Sequence, residues 1–126
     1  MRKTATALTG LVLALAGVAA VPGTAHAGDP NNCPSGYFCA TTDVDYNGTW
    51  VNWYGDDGWW ETNILNKDSS WINRGISGSG IPAHVRVYDD FWQTGAMTIC
   101  LRPNDSVAWN SYANDRGSSH TWTHGC

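Results

Sequence analysis

The sequence predicts an all-β fold, a disulfide-stapled sandwich of two Greek keys, on three observations. Between Pro30 and Cys126 no stretch carries a helical period; short apolar or aromatic runs alternate with Gly, Asn, Asp and Ser clusters, the pattern of short strands joined by turns. The two halves echo each other: Thr41 to Gly48 (TTDVDYNG) and Val87 to Gly95 (VYDDFWQTG) each run from a strand end through acidic residues and an aromatic to a glycine. Those glycines, Gly48 and Gly95, lie 47 residues apart, a fitting length for a duplicated four-strand unit. Finally, all eight Trp, all five Tyr and both Phe fall after residue 27, and bulky rings suit a pleated, half-buried surface in a chain poor in Leu and Ile.

At the start of the chain, Arg2 and Lys3 precede an apolar run from about Leu8 to Val21, and Ala25-His26-Ala27 supplies a small-x-small cleavage site, so residues 1–27 are expected to be a secretory signal peptide. The run is too short for a transmembrane span. Removing this leader leaves 99 residues, 28–126, expected to form one domain with keys at roughly 33–80 and 83–126. The cut also takes two basic residues and no acid, moving the formal charge from −4 to −6. Without a Lys/Arg cluster, so acidic a domain is a poor partner for nucleic acid or anionic lipid, and a secreted monomer with no membrane association is expected.

About a hundred residues enclose a limited core, and the four cysteines (Cys33, Cys39, Cys100, Cys126) are expected to staple it. Three connectivities are open. Cys33–Cys39 with Cys100–Cys126 is favoured because each pair lies within one half, and loop entropy would make them worth roughly 2.4 and 3.5 kcal/mol. Strands are expected at Gly36–Thr41, Trp50–Trp53, Ala83–Tyr88, Ala96–Leu101 and Ser106–Tyr112. Trp50, Trp53, Tyr54, Trp59 and Trp60 crowd into eleven residues, more than one strand face can bury, so some are expected to be exposed. Arg74 to Pro82 (RGISGSGIP), rich in Gly and Ser, reads as the connection between the halves.

Cys33 to Cys39 (CPSGYFC), followed by an acidic turn and Tyr46-Asn47-Gly48, resembles the start of the secreted actinobacterial peptidase inhibitors with a βγ-crystallin-like fold, typified by the streptomycete metalloproteinase inhibitor. The similarity covers essentially all of residues 28–126. It departs from the family pattern at Thr41, where an aromatic is usual, and at Trp92-Gln93-Thr94-Gly95, one residue longer than aromatic-x-Gly. The resemblance implies inhibition of a secreted, thermolysin-like metalloprotease and no enzymatic activity. It also implies an exposed inhibitory loop at Cys100, Leu101, Arg102 and Pro103, with Leu101 filling an apolar pocket. Against this stands a plain alternative: Ala96 to Leu101 is a core strand, since the second cysteine that closes the family's loop is replaced by Asn104-Asp105-Ser106.

Asn114 to Ser119 (NDRGSS) matches the crystallin calcium pattern, and by that resemblance Asp115, Arg116 and Ser118 would hold calcium with Asp43 and Asp45 of the other key. The alternative is a polar turn closed by its own hydroxyls. Calcium is the one cofactor the resemblance suggests, and none is required.

Other chemistry is thin. His120 and His124 would lie roughly 13 Å apart on a strand, too far for one zinc. Asp56, Asp57 and Glu61 sit among Trp59 and Trp60, but no nucleophile or metalloprotease motif accompanies them, and no catalytic residue is assigned. The rival function is a calcium- or carbohydrate-binding module that stacks sugars on exposed Trp and Tyr. A killer-toxin-like protein of the same fold is a third reading.

Overall fold

A computed structural model describes residues 26–126. All but the last two residues of the expected leader lie outside the described residues. Seven strands form: β1 (Phe38–Asp43), β2 (Asn47–Trp53), β3 (Ser70–Asn73), β4 (His84–Tyr88), β5 (Met97–Leu101), β6 (Ser106–Val107) and β7 (Ser119–Thr123). They make two antiparallel sheets, one ordered β2-β1-β3-β6 and the other β5-β4-β7. β6 belongs by sequence to the second half yet pairs with β3 of the first, Trp71 opposite Val107. In return Asp57 of the first half bridges His120 on β7. The halves therefore exchange short edge segments and cross each other.

The sheets close on a core of Phe38, Ala40, Trp53, Trp60, Ile64, Trp71, Val85, Val87, Leu101 and Ala113. β4 shows why: Val85 and Val87 point inward while His84, Arg86 and Tyr88 alternate toward solvent, the period-two pattern of a strand with one wet face. β1 is buried from Phe38 to Thr41, because its other face carries Cys39 into a satellite cluster with Cys33 and Ile72, covered by Tyr37, Tyr46 and Trp50. The Cys33–Cys39 and Cys100–Cys126 disulfides both form. The crowded aromatics divide as anticipated: Trp53 and Trp60 stack in the core, while Tyr54 and Trp59 are 74% and 55% exposed.

The two hairpins share one backbone design. Asp45, Tyr46 and Gly48 have φ of 57°, 60° and 82°; Trp92, Gln93 and Gly95 repeat this at 59°, 56° and 78°. Gly48 and Gly95 are required, since L side chains are strained there and an added Cβ would collide with Thr42 and Asp89 respectively. The second hairpin therefore holds no extra residue: Gln93 stands where Tyr46 stands, and the aromatic Trp92 is displaced by one. A buried serine fastens each fold-over. Ser70 Oγ accepts from the Tyr46 N–H at 3.0 Å and lies 2.9 Å from the Asp43 carbonyl. Ser119 Oγ accepts from the Gln93 N–H at 2.9 Å and donates to the Asp90 carbonyl at 2.6 Å.

Candidate functional site

β3 ends at Asn73 and β4 begins at His84, and the connection between them has neither helix nor strand. Ile76 to Pro82 are all exposed, with Ile76 at 62% and Ile81 at 50%. A turn at Gly78–Ile81 is closed by the Ile81 N–H donating to the Gly78 carbonyl at 3.1 Å, with Gly80 at φ 75°, the residue a type II turn demands. Among the described residues, the main chain of Ile76 and Ser77 makes no backbone hydrogen bond. This is an exposed segment carrying two apolar side chains and unpaired peptide groups.

Its ends, by contrast, are fixed. Arg74 donates its N–H to the Tyr37 carbonyl at 2.9 Å and accepts from the Gly36 N–H at 2.7 Å, both within the loop closed by Cys33–Cys39. Asn73, wholly buried, joins the two ends directly. Its Oδ1 accepts from the Gly75 N–H at 2.7 Å, while Nδ2 donates to the Ala83 carbonyl at 2.8 Å and to the Leu101 carbonyl at 3.1 Å. Gly75 is packed so tightly that an added Cβ would lie 2.5 Å from the Trp122 ring.

Beside the segment lies a mostly apolar cleft of about 590 Å³, lined by Gly36, Tyr54, Asp56, Ile76, Ile81 and Trp122 among others. The Tyr54–Asp56 wall is fastened to β7. Asp56 accepts from the Trp122 N–H at 2.7 Å and from the Thr121 hydroxyl at 3.1 Å. Behind it, His120 Nδ1 accepts from the Trp60 indole N–H at 2.9 Å, and Nε2 lies 2.8 Å from the Gly55 carbonyl. That pair of contacts fits the neutral ring protonated on Nε2, and burial pushes the imidazole pKa down to about 4.

The residues expected to form the inhibitory loop are placed otherwise. Leu101 is wholly buried on β5, paired with Val85, so its side chain cannot enter a protease pocket without leaving the core. The reason is strand alternation: Leu101 falls on the inward face of an edge strand. Cys100 is half-buried and bridged to Cys126; Arg102 is exposed and paired with Asp105 at 3.4 Å; Pro103 lies in the turn after β5. This region is the core strand of the plain alternative.

NDRGSS is held by contacts within the protein. Ser118 Oγ contacts Asn66 Oδ1 at 3.1 Å and the Asp89 carbonyl at 3.3 Å, and the Asp115 N–H donates to the Asp68 carbonyl at 2.7 Å. Arg116 pairs with Asp89 at 2.7 Å and lies over the Tyr112 ring, holding the Asp89 carboxyl below its usual range. Asp43 and Asp45 stay on the first hairpin, and no hydrogen bond or ion pair among the described residues links them to Asp115, Arg116 or Ser118. Among the described residues, no three His, Cys, Asp or Glu side chains gather in one place. The Arg116 guanidinium and the Ser118 hydroxyl of the expected donor set are thus both engaged within the protein, with Asp89 and Asn66 as their partners.

Asp68, beneath NDRGSS, accepts from Gly117 N–H and Trp71 indole N–H at 2.8 and 2.7 Å; burial nevertheless raises its pKa to about 6. Asp57 caps the Trp59 N–H at 2.8 Å, Glu61 is exposed, and buried His120 and exposed His124 share no site. A second exposed patch stacks Trp59 on Phe91 at 4.2 Å with Trp92 edge-on.

Sequence comparison matches residues 26–100 to the model of peptidase inhibitor family I36. The chain belongs to peptidase inhibitor family I36. The match ends one residue short of buried Leu101 and takes in the whole Arg74–Pro82 connection. A search of curated proteins returns no significant match. Solved βγ-crystallin structures resemble this inhibitor-family chain in fold. A domain studied for the evolution of the eye-lens fold aligns with TM-score 0.59 at 18% identity, covering 70% of this chain and 86% of that one. An archaeal βγ-crystallin gives 0.55 at 18%, covering 71% and 99%, and one from Ciona intestinalis 0.54 at 21%, covering 69% and 99%. Among the described residues no helix is long and apolar enough to cross a membrane.

In the sequence, Arg74–Pro82 reads only as a linker. Glycine and serine advertise a connection, and the two isoleucines within it are the available sign that it carries more.

Proposed function

We propose that residues 28–126 are exported and inhibit a secreted protease by offering Gly75–Pro82 to its cleft, with a thermolysin-like metalloprotease as the class to test first. The observation that carries this is the exposed segment itself: unpaired peptide groups at Ile76 and Ser77 beside an exposed apolar side chain, on a base fixed at both ends. Protease clefts take extended chains by main-chain hydrogen bonds and read alternate side chains in pockets. A fixed base lowers the ordering cost of such binding, and one or two buried anchors supply most of the affinity.

Ile76 is the first anchor to test, being the more exposed of the two. Burying an isoleucine is worth about 1.5–3 kcal/mol, so Ile76→Gly should raise the inhibition constant roughly ten- to a hundredfold. Purified 28–126 would be titrated against a thermolysin-like enzyme and a subtilisin-like serine protease. No inhibition of either at micromolar concentration would remove this reading for those classes. An unchanged constant for both Ile76→Gly and Ile81→Gly would move the site elsewhere.

A second reading, carbohydrate binding, rests on the exposed Trp59–Phe91–Trp92 stack. It expects retention on insoluble polysaccharide that Trp92→Ala abolishes.

A further inference from the structure

The geometry points to Asn73 as the positioning residue that keeps the Gly75–Pro82 segment an inhibitor and prevents it from becoming a substrate. This deepens the inhibitory reading of the same segment and rests on it. A protease that accepts an exposed, extended chain hydrolyses it unless the products are prevented from leaving. Hydrolysis adds one water across one C–N bond and leaves a carboxylate on one residue and an amine on the next. If both new ends stay in register, the amine can return to the carboxyl carbon and the same water is expelled, so the intact chain persists.

Keeping the ends in register needs a tie between the two sides of the segment that does not run through it. Asn73 supplies that tie. One side-chain amide holds the start of the segment at the Gly75 N–H and its far end at the Ala83 carbonyl. A third bond, to the Leu101 carbonyl, anchors the same group to β5 in the second sheet. Only a primary amide satisfies this set, because the site requires one acceptor and two donors on adjacent atoms. A carboxylate would face two carbonyl oxygens with no proton to offer, and a serine has one hydroxyl for three partners. The side chain is fully buried, so water does not compete for these bonds. Backbone bonds of the same residue, Asn73 N–H to the Asp105 carbonyl and Asn104 N–H to the Asn73 carbonyl, at 2.9 and 2.8 Å, hold it to the turn after β5.

Neither disulfide does this work. Cys33–Cys39 lies wholly before the segment and Cys100–Cys126 wholly after it, so a cut chain has no covalent link between its halves. The burden falls on the core and on Asn73 at the base.

The test compares wild-type 28–126 with Asn73→Ala and Ser119→Ala, each incubated with a catalytic amount of a thermolysin-like metalloprotease and followed by mass spectrometry. Ser119→Ala loses two hydrogen bonds in the second hairpin, away from the segment, and controls for instability alone. Wild type should stay intact. Asn73→Ala should be cut between Gly75 and Ala83 on the order of tenfold faster than Ser119→Ala, the equivalent of about 1.4 kcal/mol. Its inhibition should decay as cutting proceeds, and the cut product should separate into two pieces on non-reducing denaturing gels. Asn73→Ala cut no faster than Ser119→Ala, or cut elsewhere, overturns the assignment. Should Asn73→Ala fail to fold, hydrogen exchange on wild type decides: the Gly75 amide should be protected while Ile76 and Ser77 exchange freely, and equal exchange overturns it. Wild type that does not inhibit the enzyme would instead defeat the inhibitory reading, and these cutting and exchange measurements would still judge the clamp.

Discussion

Replacing the two hairpin serines gives the sharpest test of why this chain folds. Ser119→Ala deprives the Gln93 N–H of its acceptor and the Asp90 carbonyl of its donor, at a position with no exposed surface. Gln93 sits in the left-handed region at φ 56°, so the loop cannot relax cheaply to find another partner. A buried donor left unpaired costs about 1–3 kcal/mol, while the Asp90 carbonyl, on an exposed residue, recovers part of its loss from water. The expected destabilisation is about 2–3 kcal/mol. At about 4–8 °C per kcal/mol for a domain of this size, the melting temperature should fall by roughly 10–20 °C. Ser70→Ala should cost at least as much, because Ser70 Oγ also lies 2.7 Å from the Ala108 carbonyl beside β6 and so serves both halves. Urea unfolding followed by tryptophan fluorescence, with far-UV circular dichroism to check that one transition is seen, measures both. A loss below about 0.5 kcal/mol in either variant, the range of an ordinary surface substitution, would refute the clamp argument.

Three further outcomes are expected. Gly117→Ala should lose about 1–3 kcal/mol in the same urea assay, since its methyl group would press on the Trp60 ring and the Asp68 carboxylate. Millimolar calcium should leave the melting temperature of wild type unmoved, whereas a clear rise that Asp115→Ala abolishes would establish calcium binding at NDRGSS. The pH profile depends on two buried groups of opposite sign. His120, depressed to about 4, contributes stability above its unfolded value near 6.5 that is lost as pH falls toward 4. Asp68, raised to about 6, makes the folded state bind its proton more readily, so its contribution grows as pH falls from 6 to 4. Each shift corresponds to about 3 kcal/mol, so wild type should be nearly flat between pH 4 and 6. Asp68→Asn should show the His120 loss uncovered, and an equally flat Asp68→Asn profile would contradict the assignment.

Local chemistry was readable in the sequence; pairings between distant segments were not. The 47-residue spacing of Gly48 and Gly95 is a backbone requirement, and it survives intact as matching φ values. The disulfide pairing was legible because both bridges lie within one half. Trp92 misled because an aromatic three residues before a glycine looks like a stretched signature, whereas Gln93 meets the geometric need with backbone alone. β3 was missed because Ser70-Trp71-Ile72-Asn73 is buried on both faces and shows no alternation. β6 shrank to two residues because the chain beyond Val107 turns away to join Asn110, which caps Tyr112 and Ala113. The exchange of β6 and Asp57 between halves depends on contacts that no local pattern encodes.

That exchange bears on where a protease can be engaged. A chain whose two keys were linked only by Arg74–Pro82 would come apart when the link was cut, and such a link would be a poor place to present. Here β6 lies against β3 and Asp57 against His120, so each half holds an edge of the other irrespective of the connection. From Ile76 to Pro82 nothing is buried, and the segment contributes little to stability. It can be given to a partner without cost to the fold. The Cys100–Leu101 bond has the reverse character: Leu101 closes the core opposite Val85 and receives the Asn73 amide, so offering that bond would open the sandwich. A site that must be held in an enzyme's cleft and released unchanged belongs where the fold has least to lose and the ends are best fixed, and in this chain both conditions meet at Ile76–Pro82.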